Sequence, residues 1–224
     1  MALSPFALFR PFSDHLSVVL FTKDTPRPYP VVETLSARGL ATARQVHGNR
    51  TVIAREPIEY APDADGIVTD RSGLALSTRF ADCQPFIVYA PDHGVLGVLH
   101  VGWRGLIAGA ITQFFGTLKT EWGIHSSETY VGIGPSLCTK CATFSDPIHE
   151  LPTVDRSFIV DHQVDLQGAA DHELLRLGVL PSRIERHPQC TCCQHEKYWT
   201  YRGGDREAVK EGACNAIGCV LSGS

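Results

Sequence analysis

Two apolar runs four residues apart, FIVYA at 86–90 and VLGVLHV at 95–101, restrict the folds open to this chain. Neither alternates apolar with polar residues, so each reads as a strand covered on both faces. The PDHG between them is a hairpin connection. Strands buried on both sides need a layer above and a layer below. A chain of 224 residues can supply these within one domain.

The flanking sequence supplies the layers. TVIARE (51–56), DADGIVTD (63–70), ETYVGIGP (128–135) and RIERH (183–187) read as further strands, with Asp65-Gly66 as turn punctuation. LALSTRF (74–80) alternates, which predicts a half-buried strand. A helix is expected near 30–39. From Trp103, apolar residues recur every three or four positions through Leu118, predicting one amphipathic helix that ends near Trp122-Gly123. Residues 171–179 read as another helix. The segment 205–221 reads as a C-terminal helix with Val209, Ala213, Ala216, Ile217 and Val220 on one face. Segment 140–170 is weakly periodic and receives no assignment. Strands and helices mix without a regular βαβ beat, so the expectation is one α/β domain over residues 1–224, a mixed sheet covered by helices.

Composition narrows the function. With 43% hydrophobic and 20% charged residues the chain is not of disordered type. Net charge is -4 and no long Lys/Arg run occurs, which argues against a nucleic-acid partner. No run approaches the ~18 apolar residues that span a bilayer, so no membrane partner is expected. The N-terminal MALSPFALFRPFSD lacks a basic stretch and is broken by Ser4, Pro5, Arg10 and Pro11; it does not read as a signal peptide, and a cytoplasmic location is expected. Eight cysteines in such a chain point to metal binding or catalysis before disulfides, although some can be plain packing thiols.

His100 ends an apolar strand just before Gly-Trp-Arg-Gly, where α/β folds often place their sites. Gly102 and Gly105 allow close backbone approach, and Arg104 adds a positive charge at the start of the following helix. Cys83 precedes the first apolar run. In an antiparallel hairpin, residue 83 at the start of one strand and residue 100 at the end of the next become neighbours. His47, in ARQVHGNR, is a third candidate. Each alone could be inert: a surface His or a buried Cys. Together, two His and one Cys would make a three-ligand zinc site with an open fourth position, whose water would be acidic enough to attack at neutral pH.

The motifs QVHG, ADG, ADCQP and HVGWRGL, in this order, closely resemble the YfiH-like laccase-domain family, also called multicopper polyphenol oxidase-like or purine nucleoside phosphorylase family. GIGPSLCTKC and CTCCQHEKYWTYRGG resemble its later Cys-containing regions. The resemblance runs from about residue 44 to the end. It implies a single α/β domain with mixed sheets layered α/β/β/α, and a metal triad of His47, Cys83 and His100. It further implies zinc-linked phosphorolysis of adenosine, inosine, guanosine or methylthioadenosine, and deamination of adenosine. Purine nucleoside and phosphate would then be the partners, for a monomer or homodimer. The older family name implies copper-dependent oxidation of phenols. However, the ten histidines include no His-x-His pair, and two His with one Cys suit zinc at least as well as copper.

For such chemistry the candidate catalytic residues are Asp82, Cys83 and Arg104. Asp82 would shuttle a proton or orient a ligand His. Arg44, Arg104 and Arg202 are the candidate phosphate-binding cations; each could equally be a structural ion pair. The chain departs from the family pattern at Gly212-Ala213 and at Lys140-Cys141-Ala142-Thr143. Cys138-x-x-Cys141 and Cys190-x-x-Cys193 form a CxxC…CxxC set, a candidate second metal site, with packing thiols or a redox pair as alternatives. Two rival functions remain: a Cys/His hydrolase with Cys83 as nucleophile, as in toxin domains that share the fold, and a non-catalytic metal- or nucleoside-binding protein.

Overall fold

A computed structural model describes residues 4–58 and 63–222. The two apolar runs form a hairpin of strands Gln84–Ala90 and Val95–Val101, closed by a turn at Pro91–His93 and by Gly94 at φ +60°. All fourteen strand residues are buried, seven in each strand. The hairpin is the centre of a six-stranded mixed sheet. Its order is Ile184–Arg186, Tyr130–Ile133, Gln84–Ala90, Val95–Val101, Gly66–Thr69 and Thr51–Ile53. The two outer pairs are parallel and the inner pairings antiparallel.

A four-stranded sheet, ordered Leu16–Phe21, Asn215–Leu221, Leu74–Phe80 and Gly39–Ala41, packs on the first. The side-chain period of two sorts each central strand between two cores. Ile87, Tyr89, Leu96 and Val98 face Leu76, Phe80 and Ile217 between the sheets. Phe86, Val88, Leu99 and Val101 face the opposite way, onto the helices Ala110–Trp122 and Leu166–Arg176. The short helix Val31–Leu35 covers the outer face of the four-stranded sheet at Val19, Ala75 and Ala216. Helices, sheet, sheet and helix therefore stack in the layered α/β/β/α order.

Several sequence expectations require correction. The segment 205–221 is not a helix. A single turn and a half, Arg206–Lys210, stops before Gly212 at φ +96°, and Asn215–Leu221 is a central strand with all seven residues buried. A strand buried on both faces lacks alternation and can mimic a helical face. Leu74–Phe80 is covered on both sides rather than half-buried, because Val31–Leu35 lies over its outer face. The expected long helix after Trp103 is two, Trp103–Ile107 and Ala110–Trp122, broken where Gly109 takes φ +74°. The helix expected near 30–39 spans only Val31–Leu35, and Gly39–Ala41 is a strand. Strand Leu16–Phe21 is additional to the elements expected from the sequence.

Candidate metal centre and its pocket

Strand parity positions the first two candidate residues. Pro85 pairs with His100, so Cys83 and His100 project from the same, inter-sheet face at one end of the hairpin. His47 arrives from a loop with its backbone at φ +59°, the left-handed region. Its ring meets that of His100 edge-on, with centroids 4.9 Å apart. One potential ligand atom from each of His47, Cys83 and His100 lies within 4.8 Å of the others. The three bring a nitrogen, a sulfur and a nitrogen donor close enough together to hold one metal ion.

One carboxylate organises both histidines. Asp65 accepts from the backbone N–H groups of Val46, His47 and Gly48 at 3.2, 3.0 and 2.7 Å. Its Oδ1 also lies 2.8 Å from His100 Nδ1. This leaves Nε2 as the ring nitrogen available to a metal. Burial works against the Asp65 carboxylate, yet His100 and the Gly48 and Val46 amides hold it below its usual range. In the sequence Asp65 stands only as turn punctuation before Gly66. The signal available was an acidic residue directly before a strand start, in the segment that pairs with the His100 strand.

Gly102 shows that the chain leaves space for the cluster. A Cβ there would stand 2.8 Å from Cys83 Sγ and 2.9 Å from His47 Cδ2, inside the donor set. Gly105 plays a related part, since its Cβ would press on the Gly48 carbonyl at 3.1 Å. Burial raises the Cys83 thiol, but the charge and hydrogen bonds of His100 and His47 outweigh it and bring it down to about 6. His100 moves the other way. Burial lowers it, and Cys83 with Asp65 more than compensates, raising it to about 9. The metal-free cluster thus favours a thiolate beside an imidazolium.

A pocket of about 390 Å³ opens over this cluster, within the ~300–1,000 Å³ of small-molecule sites. Trp103, Phe144 and Tyr201 line it together with Arg104 and Arg202. Trp103 and Phe144 stand edge-to-face, 5.8 Å between centroids. The Arg104 guanidinium lies 4.1 Å from the Trp103 ring centroid, and among the described residues it forms no ion pair. Arg202 reaches Thr143 Oγ1 at 3.4 Å.

The structure separates the other candidates. Arg44 is directed elsewhere: its guanidinium forks onto Asp63, with the second contact at 2.8 Å, on the exposed surface and away from the pocket lining. Asp82 lines the pocket, but its oxygens are occupied. Thr191 and Thr200 hydroxyls donate to Oδ1 at 2.7 and 2.6 Å, and the Arg202 N–H donates to Oδ2 at 2.8 Å. It therefore fastens the 191–202 segment to the end of the hairpin, and Asp65, not Asp82, orients His100. The cysteines Cys138, Cys141, Cys190 and Cys193 come together in a second cluster.

A family model described as "Multi-copper polyphenol oxidoreductase laccase" matches residues 30–217. The chain belongs to this family. Among its relatives, a Geobacillus stearothermophilus protein named purine nucleoside phosphorylase YlmD is 33% identical over 152 residues, 63% of this chain and 55% of that protein. The mouse protein named purine nucleoside phosphorylase LACC1 is 31% identical over 157 residues, 66% of this chain and 36% of the relative. The matched region thus spans about a third to a half of these relatives' length. The crystal structure of YlmD from Geobacillus stearothermophilus superposes with a TM-score of 0.79 at 25% identity, covering 96% of this chain and 94% of that one. The Bacillus licheniformis protein YfiH shares the fold, with a TM-score of 0.76 at 23% identity, covering 86% and 78% of the two chains. Among the described residues, no helix is long and apolar enough to cross a membrane.

Proposed function

We propose that this protein is a zinc-dependent purine nucleoside phosphorylase that also deaminates adenosine. The observation that carries the reading is the joining of three elements in one pocket: the His47, Cys83 and His100 donors, three aromatic walls, and two arginines. The names of its relatives as purine nucleoside phosphorylases agree with it.

His47, Cys83 and His100 would hold the metal, and the donor set suits zinc. Zinc bound there supplies Lewis acidity and makes water nucleophilic near neutral pH. Trp103, Phe144 and Tyr201 give the purine flat apolar surfaces on which to stack. Arg104 and Arg202 bind phosphate and direct one oxygen toward C1′ of the ribose. In phosphorolysis that oxygen forms the new bond to C1′ as the bond to purine N9 breaks. The electron pair leaves with the base, which takes up a proton, giving free purine and ribose 1-phosphate. In deamination water adds at C6 of adenosine and ammonia departs, giving inosine. Asp65 keeps the His100 ring in one orientation throughout. Asp82 holds the Arg202 segment against the pocket.

The test is incubation of metal-loaded protein with adenosine, with and without phosphate, and chromatographic separation of products. Phosphate-dependent adenine and ribose 1-phosphate support phosphorolysis, and phosphate-independent inosine supports deamination. Loaded protein that forms neither disproves the reading. A second reading has one observation in its favour: Cys83, His100 and Asp65 also form the thiol–imidazole–carboxylate sequence of a Cys/His hydrolase. Zinc bound through the Cys83 sulfur would exclude it, because a ligated thiolate is not free to attack.

A further inference from the structure

Two cysteine pairs leave the ends of neighbouring parallel strands. Cys138 and Cys141 lie in the loop after Tyr130–Ile133, and Cys190 and Cys193 in the loop after Ile184–Arg186. An isolated bridge between Ser136 and Cys190 continues the pairing beyond the strands and brings the two loops side by side. All four Sγ atoms fall within 4.8 Å of one another, and all four thiols are free.

The spacing of the sulfurs is informative. Cys193 Sγ lies 3.6 Å from Cys141 Sγ and 3.8 Å from Cys138 Sγ. A disulfide would need about 2.05 Å. Tetrahedral zinc with metal–sulfur bonds of about 2.3 Å separates neighbouring sulfurs by about 3.8 Å. The backbone is arranged for thiolates as well. The N–H groups of Cys138 and Cys193 donate to Cys190 Sγ at 3.3 and 3.5 Å. In the first loop, the Cys141 and Ala142 N–H groups donate to the Cys138 carbonyl at 3.0 Å, turning the chain so that both cysteines face inward.

We propose that Cys138, Cys141, Cys190 and Cys193 form a second, structural zinc site, separate from the pocket centre, which staples the two loops together. Four protein ligands close the coordination sphere, so the site holds its metal for stability and offers no position to substrate. Binding exchanges the thiol protons for one metal ion, leaving four metal–sulfur bonds and releasing the protons to solvent. The staple also bears on the pocket. The second loop runs from Cys190 through Thr191 to Arg202, and the first leads from Leu137 to Phe144. Leu137, Phe144 and Arg202 all line the pocket.

The test separates the two metals. A His47→Ala/Cys83→Ala variant, purified without added metal, is expected to retain one zinc per chain by elemental analysis. X-ray absorption should show a shell of four sulfurs at about 2.3 Å. Adding Cys141→Ser and Cys193→Ser to that variant should remove the zinc. As these changes could also prevent folding, alkylation of the wild-type protein gives an independent readout. Cys138, Cys141, Cys190 and Cys193 should be protected until a chelator is added, and then react together. Four reactive thiols in zinc-replete wild type, a Cys141–Cys193 disulfide by mass spectrometry, or iron in place of zinc would each overturn the assignment. Loss of nucleoside chemistry alone would bear on the pocket and leave this inference standing.

Discussion

Asp65 Oδ1 stands 2.8 Å from His100 Nδ1, while the same carboxylate accepts the His47 N–H at 3.0 Å. One buried acid therefore sets the ring of one candidate ligand and the backbone of the other. Replacing it with Ala removes both restraints and leaves three amides without an acceptor. Loss of such a supporting group typically costs 10–100-fold in metal affinity. Zinc competition against a chromophoric chelator should show a fall of about that size for Asp65→Ala. An unchanged affinity would mean that Asp65 serves the fold alone.

Gly102→Ala tests the space itself. The added methyl would meet Cys83 Sγ at 2.8 Å and His47 Cδ2 at 2.9 Å. The expected outcome is reduced pocket-site zinc occupancy with near-normal circular dichroism, since Gly102 belongs to neither core. Full occupancy in the alanine variant would show that the cluster relaxes freely.

Metal-free protein should display an unusually acidic thiol. Cys83 lies at about 6, against 9.0 for an ordinary cysteine, so thiolate is present above pH 6 and protonates as the pH falls through it. Iodoacetamide labelling of Cys83 should follow that profile, and zinc should suppress it. The same shift stabilises the folded metal-free state. This stabilisation is complete above pH 9.0 and is lost as pH falls through about 6. His100, raised to about 9, contributes in the opposite sense, fully below 6.5 and not above about 9. Their pH dependences nearly cancel across neutral pH, so stability should be flat there and decline only slightly toward pH 5. A labelling midpoint near 9 would contradict the thiolate–imidazolium pair.

The three arginines should not behave alike. Arg104→Ala and Arg202→Ala each remove a pocket cation, and charged hydrogen bonds are worth about 1.5–3 kcal/mol. Each change should raise KM for phosphate or lower kcat/KM by about one to two decades. Arg44→Ala breaks only an exposed ion pair with Asp63, worth about 0–1 kcal/mol, and phosphorolysis should be nearly unchanged. Equal effects from all three would remove the phosphate assignment from the pocket.

Asp82→Ala should destabilise the fold more than a surface change. It leaves the Thr191 and Thr200 hydroxyls and the Arg202 N–H without their acceptor in a buried setting. A cost of about 1–3 kcal/mol follows for such unpaired groups, readable as a lower Tm. An Asp82→Asn variant that melts normally yet loses activity would restore a direct chemical role.

The parts of the chain that could be read in advance share a physical basis. The central hairpin was legible because two covered faces demand continuous apolar runs, and its register then brought Cys83 beside His100 by parity alone. His47 could be grouped with them by residue type but placed with them by resemblance, since its loop carries no periodic signal and its position depends on Asp65. The strand Asn215–Leu221 was misread because a fully buried strand loses the alternation that distinguishes it from a helix. The structural partners of Asp82 and Arg44 were hidden for a shared reason. A carboxylate or guanidinium has the same spelling whether its partner is substrate or another part of the chain, and the partners here, Asp63 for Arg44 and Thr191, Thr200 and Arg202 for Asp82, lie 19 to 120 residues away.

Asn215–Leu221 sits between Leu16–Phe21 and Leu74–Phe80 in the four-stranded sheet. Those two strands do not pair with each other, so the sheet cannot assemble until Asn215–Leu221 is in place between them. Until then Ile87, Tyr89, Leu96 and Val98 on the hairpin lack Ile217, Cys219 and Leu221, which complete the layer over them. Closure of the inter-sheet core therefore depends on a pairing of long sequence separation, Leu16–Phe21 with Asn215–Leu221, rather than on any local contact.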